Sequence, residues 1–210
     1  DALIVTDLTI WESRIQESGG TDVEMDRAMV LPCFVDMHTH LDKGHIWPRA
    51  ANPDGTFMGA LSTVGDDRSK NWTEDDVRAR MQFSLRCAYA HGTRAIRTHL
   101  DSLQPQDEIS WPVFASLRDE WEGVIDLQAA SLIGCDSYDN IRSDYADTAD
   151  IVAAAGGVLG MVAYPVPDLR QRLYDFFDLA GARDLEVEFH TDETMDPASQ
   201  TLRTIAAVVE

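Results

Sequence analysis

From residue 30 onward, short apolar runs alternate with amphipathic stretches five times over, and this period limits the fold more than any other feature. The runs are 30–37, 93–98, 125–132, 158–164 and 185–189. They are short for helices and carry little polar alternation, as expected of parallel strands buried on both faces.

The stretches between them read as helices with recognisable ends. Thr73 followed by Glu74, Asp75 and Asp76 opens one, Val77, Met81, Leu85 and Ala88 form its apolar stripe, and Gly92 closes it. Ser110, Trp111 and Pro112 open a second, and a third covers 144–155 before Gly156 and Gly157. Asp168 caps a fourth whose stripe is Leu169, Leu173, Phe176, Phe177 and Ala180. Asp196 and Pro197 open a fifth. Glycines and prolines in 47–65 predict a long mobile loop, whose Trp47, Phe57 and Met58 either close over a flat ring or pack in place.

Strand–helix alternation implies a parallel sheet, either open and doubly wound or closed into a barrel. No Gly-x-Gly-x-x-Gly follows the first run, which disfavours a dinucleotide fold. An eight-unit barrel takes about 250 residues. About 180 remain after residue 29, so a barrel reading expects its last three units to be missing from this chain. Residues 1–29 differ in pattern and predict a small antiparallel piece.

A net charge of −20 excludes phosphate-backbone binding, which needs clustered Lys and Arg, and disfavours anionic membrane surfaces. Three cysteines without a Cys-x-x-Cys fit a reduced, cytoplasmic setting in which each thiol is a small buried group. No run is long enough to span a bilayer.

Four of the six histidines fall at the ends of these runs. His38 and His40 lie two apart, so an extended strand points both to one face. His99 and Asp101 end the second run, Gln128 sits in the third, and His190 with Asp192 and Glu193 ends the fifth. Imidazoles converging on one point are what a catalytic zinc or iron ion takes as ligands. His45 is open to either a site or a structural role, and His91 reads as a surface cap before Gly92.

The segments 32–43, 97–101, 126–128 and 189–193 together resemble the cytosine deaminase-like branch of the metal-dependent amidohydrolase superfamily. The resemblance implies an α/β fold: the first five units of a (β/α)8 TIM barrel over 30–210, preceded by part of a small β-sandwich over 1–29. It implies one divalent metal ion, zinc or iron, on His38, His40 and His190, with Glu193 as the acid/base that carries a proton from the attacking water to the ring. Gln128 matches the residue that binds the substrate's amide edge. His99 and Asp101 take second-shell roles, orienting a ligand or fixing the strand end. The run 158–164 has no lysine to bridge two metals, so the site is mononuclear. The family's strand-six histidine and strand-eight aspartate have no counterpart in this chain.

The implied activity is hydrolytic deamination of an amino-substituted nitrogen heterocycle, a small-molecule substrate. Hydrolysis of an N-alkylamino or amide C–N bond on a triazine-type ring is the enzymatic alternative. A catalytically dead barrel fragment is the non-enzymatic one. The sequence leaves a homo-oligomer open.

Overall fold

The structure, a computed structural model, describes residues 9–11, 14–16, 29 and 31–209. The chain divides into two compact units, Asp1–Pro32 and Cys33–Glu210. In the first, β1 (Thr9–Trp11) and β2 (Arg14–Gln16) pair antiparallel. Apart from residue 29, the other residues on which a sandwich was expected lie outside those described.

The second unit holds five parallel strands in chain order. β3 (Phe34–Thr39), β4 (Thr93–Asp101) and β5 (Asp126–Leu132) form one ladder, and β6 (Leu159–Ala163) pairs with β7 (Val187–Thr191). Bridges from Ala130 to Val158 and from Gly134 to Val162 join β5 to β6. A doubly wound sheet reverses its strand order at a switch point. None occurs among the described strands, where neighbours in the sheet are also neighbours in sequence, an order shared with the successive units of a barrel.

Seven helices accompany the described strands: α1 (Phe57–Asn71), α2 (Glu74–Ala90), α3 (Asp107–Glu120), α4 (Ile141–Asp144), α5 (Ala146–Ala154), α6 (Leu169–Gly181) and α7 (Thr201–Val209). None is long and apolar enough to cross a membrane. The core lies between helices and sheet, where Met81, Leu85, Trp111, Phe114, Leu173 and Phe176 pack against Ile96, Leu100, Leu127, Leu159 and Met161. Truncating one such Leu typically costs about 2–5 kcal/mol, because the vacated space does not fully collapse. On β4 the alternate residues Arg97, His99 and Asp101 share the opposite face, as do Glu188 and His190 on β7.

Polar atoms close the β5–β6 seam. Ser131 Oγ accepts from Gly160 N at 2.8 Å, and the fully buried Tyr145 hydroxyl lies 2.6 Å from that Oγ while donating to Gly160 O at 3.2 Å. Burial, the largest influence, pushes the Tyr145 phenol up. Residue 160 has to be glycine, because a Cβ there would collide with the Ser131 carbonyl oxygen.

Several boundaries differ from expectation. β3 starts at Phe34, whose N donates to Gly92 O at 2.9 Å; Pro32 has no N–H to extend the ladder. The loop expected over 47–65 gives way at residue 57 to α1, because Thr56 Oγ1 accepts from Gly59 N at 2.9 Å and caps a helix despite its glycines. α3 begins at Asp107 and carries Pro112 inside; the bond lost there leaves the carbonyl of exposed Glu108 to water. The helix expected over 144–155 is broken at Tyr145, whose ring stacks on Phe176 in the core. Of the thiols expected inside, only Cys135 is buried, and Cys33, beside the start of β3, is exposed.

Candidate metal centre

β3 carries His38, and His40 follows one residue past its end on the same side of the chain. β4 contributes His99, and β7 contributes His190, which pairs in register with Val162 of β6. One ring nitrogen from each of His38, His40, His99 and His190 lies within 4.8 Å of all the others. His38 Nε2 and His190 Nε2 are 3.1 Å apart. The three histidines read from the sequence as ligands are thus brought together, and His99 joins them. Among the described residues no other such cluster occurs.

Two of the rings are held uncharged. Burial first, then the Lys43 charge, lowers His40 to about 4, against the pull of the His99 carbonyl. His40 Nδ1 donates to that carbonyl at 3.1 Å, which leaves Nε2 as its lone-pair nitrogen. Burial, then His99 and His38, lowers His190 to about 4. The neutral imidazole is the form that binds a metal.

His99 is the most buried of the four, at 2% exposure. Its Nδ1 donates to Thr39 O at 3.3 Å, and its Nε2 pairs with Glu188 Oε1. The other Glu188 oxygen meets Arg97 Nη1 at 3.4 Å. Burial alone would raise the Glu188 carboxyl, but the His99 hydrogen bond and the neighbouring cations reverse the direction and it ends lowered. Sequence reasoning passed over Glu188; its spacing of two from His190 was the available signal.

Gln128 is the third residue of β5, in register with Arg97, whose Nε and Nη2 donate to its Oε1 at 3.1 and 2.9 Å. It lies two residues below the level of His99, roughly 7 Å along the strand. Asp101 meets Lys43 Nζ at 2.6 Å and Arg68 Nη1 at 2.7 Å, and its N donates to Asp42 Oδ2 at 2.8 Å. These bonds tie the end of β4 to the loop that follows His40. Thr98 Oγ1 adds to them by accepting from Leu41 N at 2.9 Å. Burial, then the Asp101 charge, raises the fully buried Asp42 carboxyl to about 7.

Beyond β7, Asp192 and Glu193 divide their roles. The Asp192 carboxylate accepts from Ser199 Oγ at 2.6 Å, Thr201 N at 2.8 Å and Leu202 N at 3.0 Å. It therefore caps α7, and these bonds, the Ser199 one first, hold its pKa down to about 2. Glu193 stands exposed beside it. His45 Nε2 bonds Ser84 Oγ at 3.0 Å, and His91 Nδ1 bonds Cys87 O at 2.7 Å at the end of α2. Both stand outside the cluster. Trp47, Phe57 and Met58 are exposed.

No family model matches the sequence. The chain is 46% identical to a pterin deaminase of Rhizobium rhizogenes strain K84, over 100% of this chain and 49% of that protein. It is 23% identical to an N-isopropylammelide isopropyl amidohydrolase of Pseudomonas sp. strain ADP, over 85% of this chain and 46% of that protein. Together these likenesses place the chain in the amidohydrolase superfamily. Among solved structures, 5-methylcytosine deaminase from Klebsiella pneumoniae has the same fold, with a TM-score of 0.70 at 23% identity over 98% of this chain and 51% of that one. The chain spans about half the length of the curated relatives it matches.

Proposed function

We propose that the protein takes part in metal-dependent hydrolytic deamination of an amino-substituted nitrogen heterocycle, with a pterin as the first substrate to test. The 46% identity to a pterin deaminase supports that ring over cytosine or a triazine. The observation that carries the reading is the 3.1 Å approach of His38 Nε2 to His190 Nε2, with His40 and His99 beside them.

The donor set fits one divalent cation: neutral imidazoles suit zinc or iron. In this reading His38, His40 and His190 hold it. A cation bound there supplies Lewis acidity, which brings the pKa of an attacking water toward neutrality. Glu193 takes one proton from that water and delivers it to the ring nitrogen, then carries the second, from the hydroxyl now on the ring carbon, to the leaving amine. The ring carbon gains a C–O bond, its exocyclic C–N bond breaks, and ammonia leaves. Gln128, engaged by Arg97 and set below the strand ends, acts in this scheme through Arg97 rather than on the ring. Three free cysteines fit a reducing, cytoplasmic setting.

Release of ammonia from pterin and cytosine, and of isopropylamine from N-isopropylammelide, measured beside elemental analysis, tests the proposal. About one equivalent of zinc or iron together with turnover of an aminoheterocycle is the expected result. Less than about a tenth of an equivalent and no hydrolysis would overturn it in favour of a non-catalytic barrel fragment.

A further inference from the structure

With Gln128 held by Arg97 below the strand ends, the amide edge of a bound heterocycle is left without a partner. The carboxyl ends of β5 and β6 supply one. Gly134, just past β5, bridges to Val162, and Val162 pairs in register with His190. Paired residues of parallel strands face the same way, so the three stand in one row on the side that carries His190. The burial pattern agrees. Ile133, Cys135, Met161 and Ala163 belong to the core under the helices, and the alternate positions Gly134, Asp136, Val162 and Tyr164 do not. Strands lie about 4.8 Å apart, which sets residue 134 roughly 10 Å from residue 190 across the row.

At the next level toward the strand ends, Tyr164 leans over Gly134 and its hydroxyl donates to Asp136 Oδ1. A Cβ on residue 134 would lie 2.7 Å from Tyr164 Oη and 2.9 Å from Ser137 Oγ, so glycine is what admits that hydroxyl. Both loops are fixed from behind. Arg172 Nη1 donates to Cys135 O at 3.1 Å and to Tyr138 O at 2.6 Å, while its Nε meets Asp168 Oδ1 at 2.9 Å. Burial, then the Asp136 hydrogen bond, pushes the Tyr164 phenol up, so it keeps its proton and goes on donating. Asp136 is exposed, and among the described residues no group donates to its second oxygen. That oxygen accepts a hydrogen bond and has none to give.

We propose that Asp136, braced by Tyr164, is a substrate-binding residue that accepts the ring N–H of the heterocycle's amide edge. The proposal rests on the deaminase reading above. In pterin the donor is N3–H, the one ring N–H of the lactam. A charged acceptor placed there favours rings that carry the donor over rings that lack it. Tyr164 acts through Asp136 and is a positioning residue.

Pterin and 3-methylpterin, which lacks that N–H, test this with wild type, Asp136→Ala and Tyr164→Phe. Wild type is expected to favour pterin in kcat/KM by about 10–100-fold, the scale of a hydrogen bond to a charged group. Residue 136 is exposed, so Asp136→Ala keeps the fold. It is expected to raise KM for pterin at least about tenfold, hold kcat within about threefold and cut the preference to within about threefold. Tyr164→Phe is expected to raise KM about threefold, because the carboxylate stays but loses its brace.

An Asp136→Ala enzyme that keeps the wild-type KM, or that still prefers pterin as strongly, overturns the proposal. A carboxylate serving only its own loop would not separate the two substrates. Should wild type leave pterin unchanged, the deaminase reading fails for that ring, and quenching of pterin fluorescence on binding decides the subsite. Binding about tenfold tighter in wild type than in Asp136→Ala supports it. Equal binding, or none, overturns it.

Discussion

His190 Nε2 lies 3.1 Å from His38 Nε2, although 152 positions of sequence separate the two residues. At that distance the two nitrogens can share a proton in a hydrogen bond or, in the proposed site, one metal ion. Nitrogens on a tetrahedral zinc, each about 2.1 Å from it, stand roughly 3.4 Å apart. The observed separation is close to that spacing.

Replacing His190 by Ala therefore removes one ligand of three. Bound zinc or iron, read by elemental analysis after dialysis, is expected to drop at least about tenfold. The ring is partly exposed and outside the apolar core, so the metal-free variant keeps the wild-type far-UV circular dichroism. Full metal occupancy in His190→Ala would refute its place in the ligand set.

Glu193→Gln is expected to keep its metal and lose at least about 100-fold in kcat, the usual scale of a lost general acid/base. Asp192→Ala reads differently. It strips the cap from α7, and its signature is a lower thermal midpoint. Comparing ammonia release with thermal unfolding in the two variants separates the neighbours.

Asp67, at 4% exposure, accepts from Arg49 Nε and Nη2 at 2.9 Å each and from Asn71 Nδ2 and Trp72 Nε1 at 2.7 Å each. Burial raises this carboxyl, but the Arg49, Asn71 and Trp72 bonds outweigh it and the net direction is down. A lowered folded-state pKa means stability that is present above the unfolded value of 3.8 and is lost as pH falls below it. Asp67→Asn is expected to cost about 2–4 kcal/mol at pH 7 in urea unfolding. That gap should shrink as pH falls below the unfolded value of 3.8 toward the lowered value of the folded carboxyl.

Gly160→Ala sets a methyl group against the Ser131 carbonyl oxygen. The β5–β6 seam has to part to admit it, at a cost of about 2 kcal/mol or more in equilibrium unfolding. Tyr145→Phe, at the same seam, leaves the Ser131 hydroxyl without its 2.6 Å partner and costs about 1–2 kcal/mol. A Gly160→Ala variant as stable as wild type would contradict the strand pairing described.

The parallel strands were legible because each reads as a bounded apolar run, and His38, His40 and His190 because they stand at run ends. What escaped depended on contacts between distant segments. Gly59 and Gly65 made α1 look like loop, since its stability comes from the Thr56 cap and from Arg68 reaching Asp101 33 positions away. Glu188 was passed over in its short run, because its partner His99 stands 89 positions earlier and only the fold sets the two together. The Asp192 cap was hidden because its helix starts only at Thr201, after a turn in which Asp196 and Pro197 give a stronger local start signal.

The imidazole pair draws from β3, first in the five-strand series, and from β7, the last. An ion bridging them would join residues 152 positions apart, a pairing that the unfolded chain does not hold, so its binding free energy adds to that of folding. Folding free energy in the 33–210 unit then rises with the concentration of free cation, by the mass action of any ligand that binds only the native state. Metal supply, on this account, governs how long the fold survives as well as whether the chemistry runs.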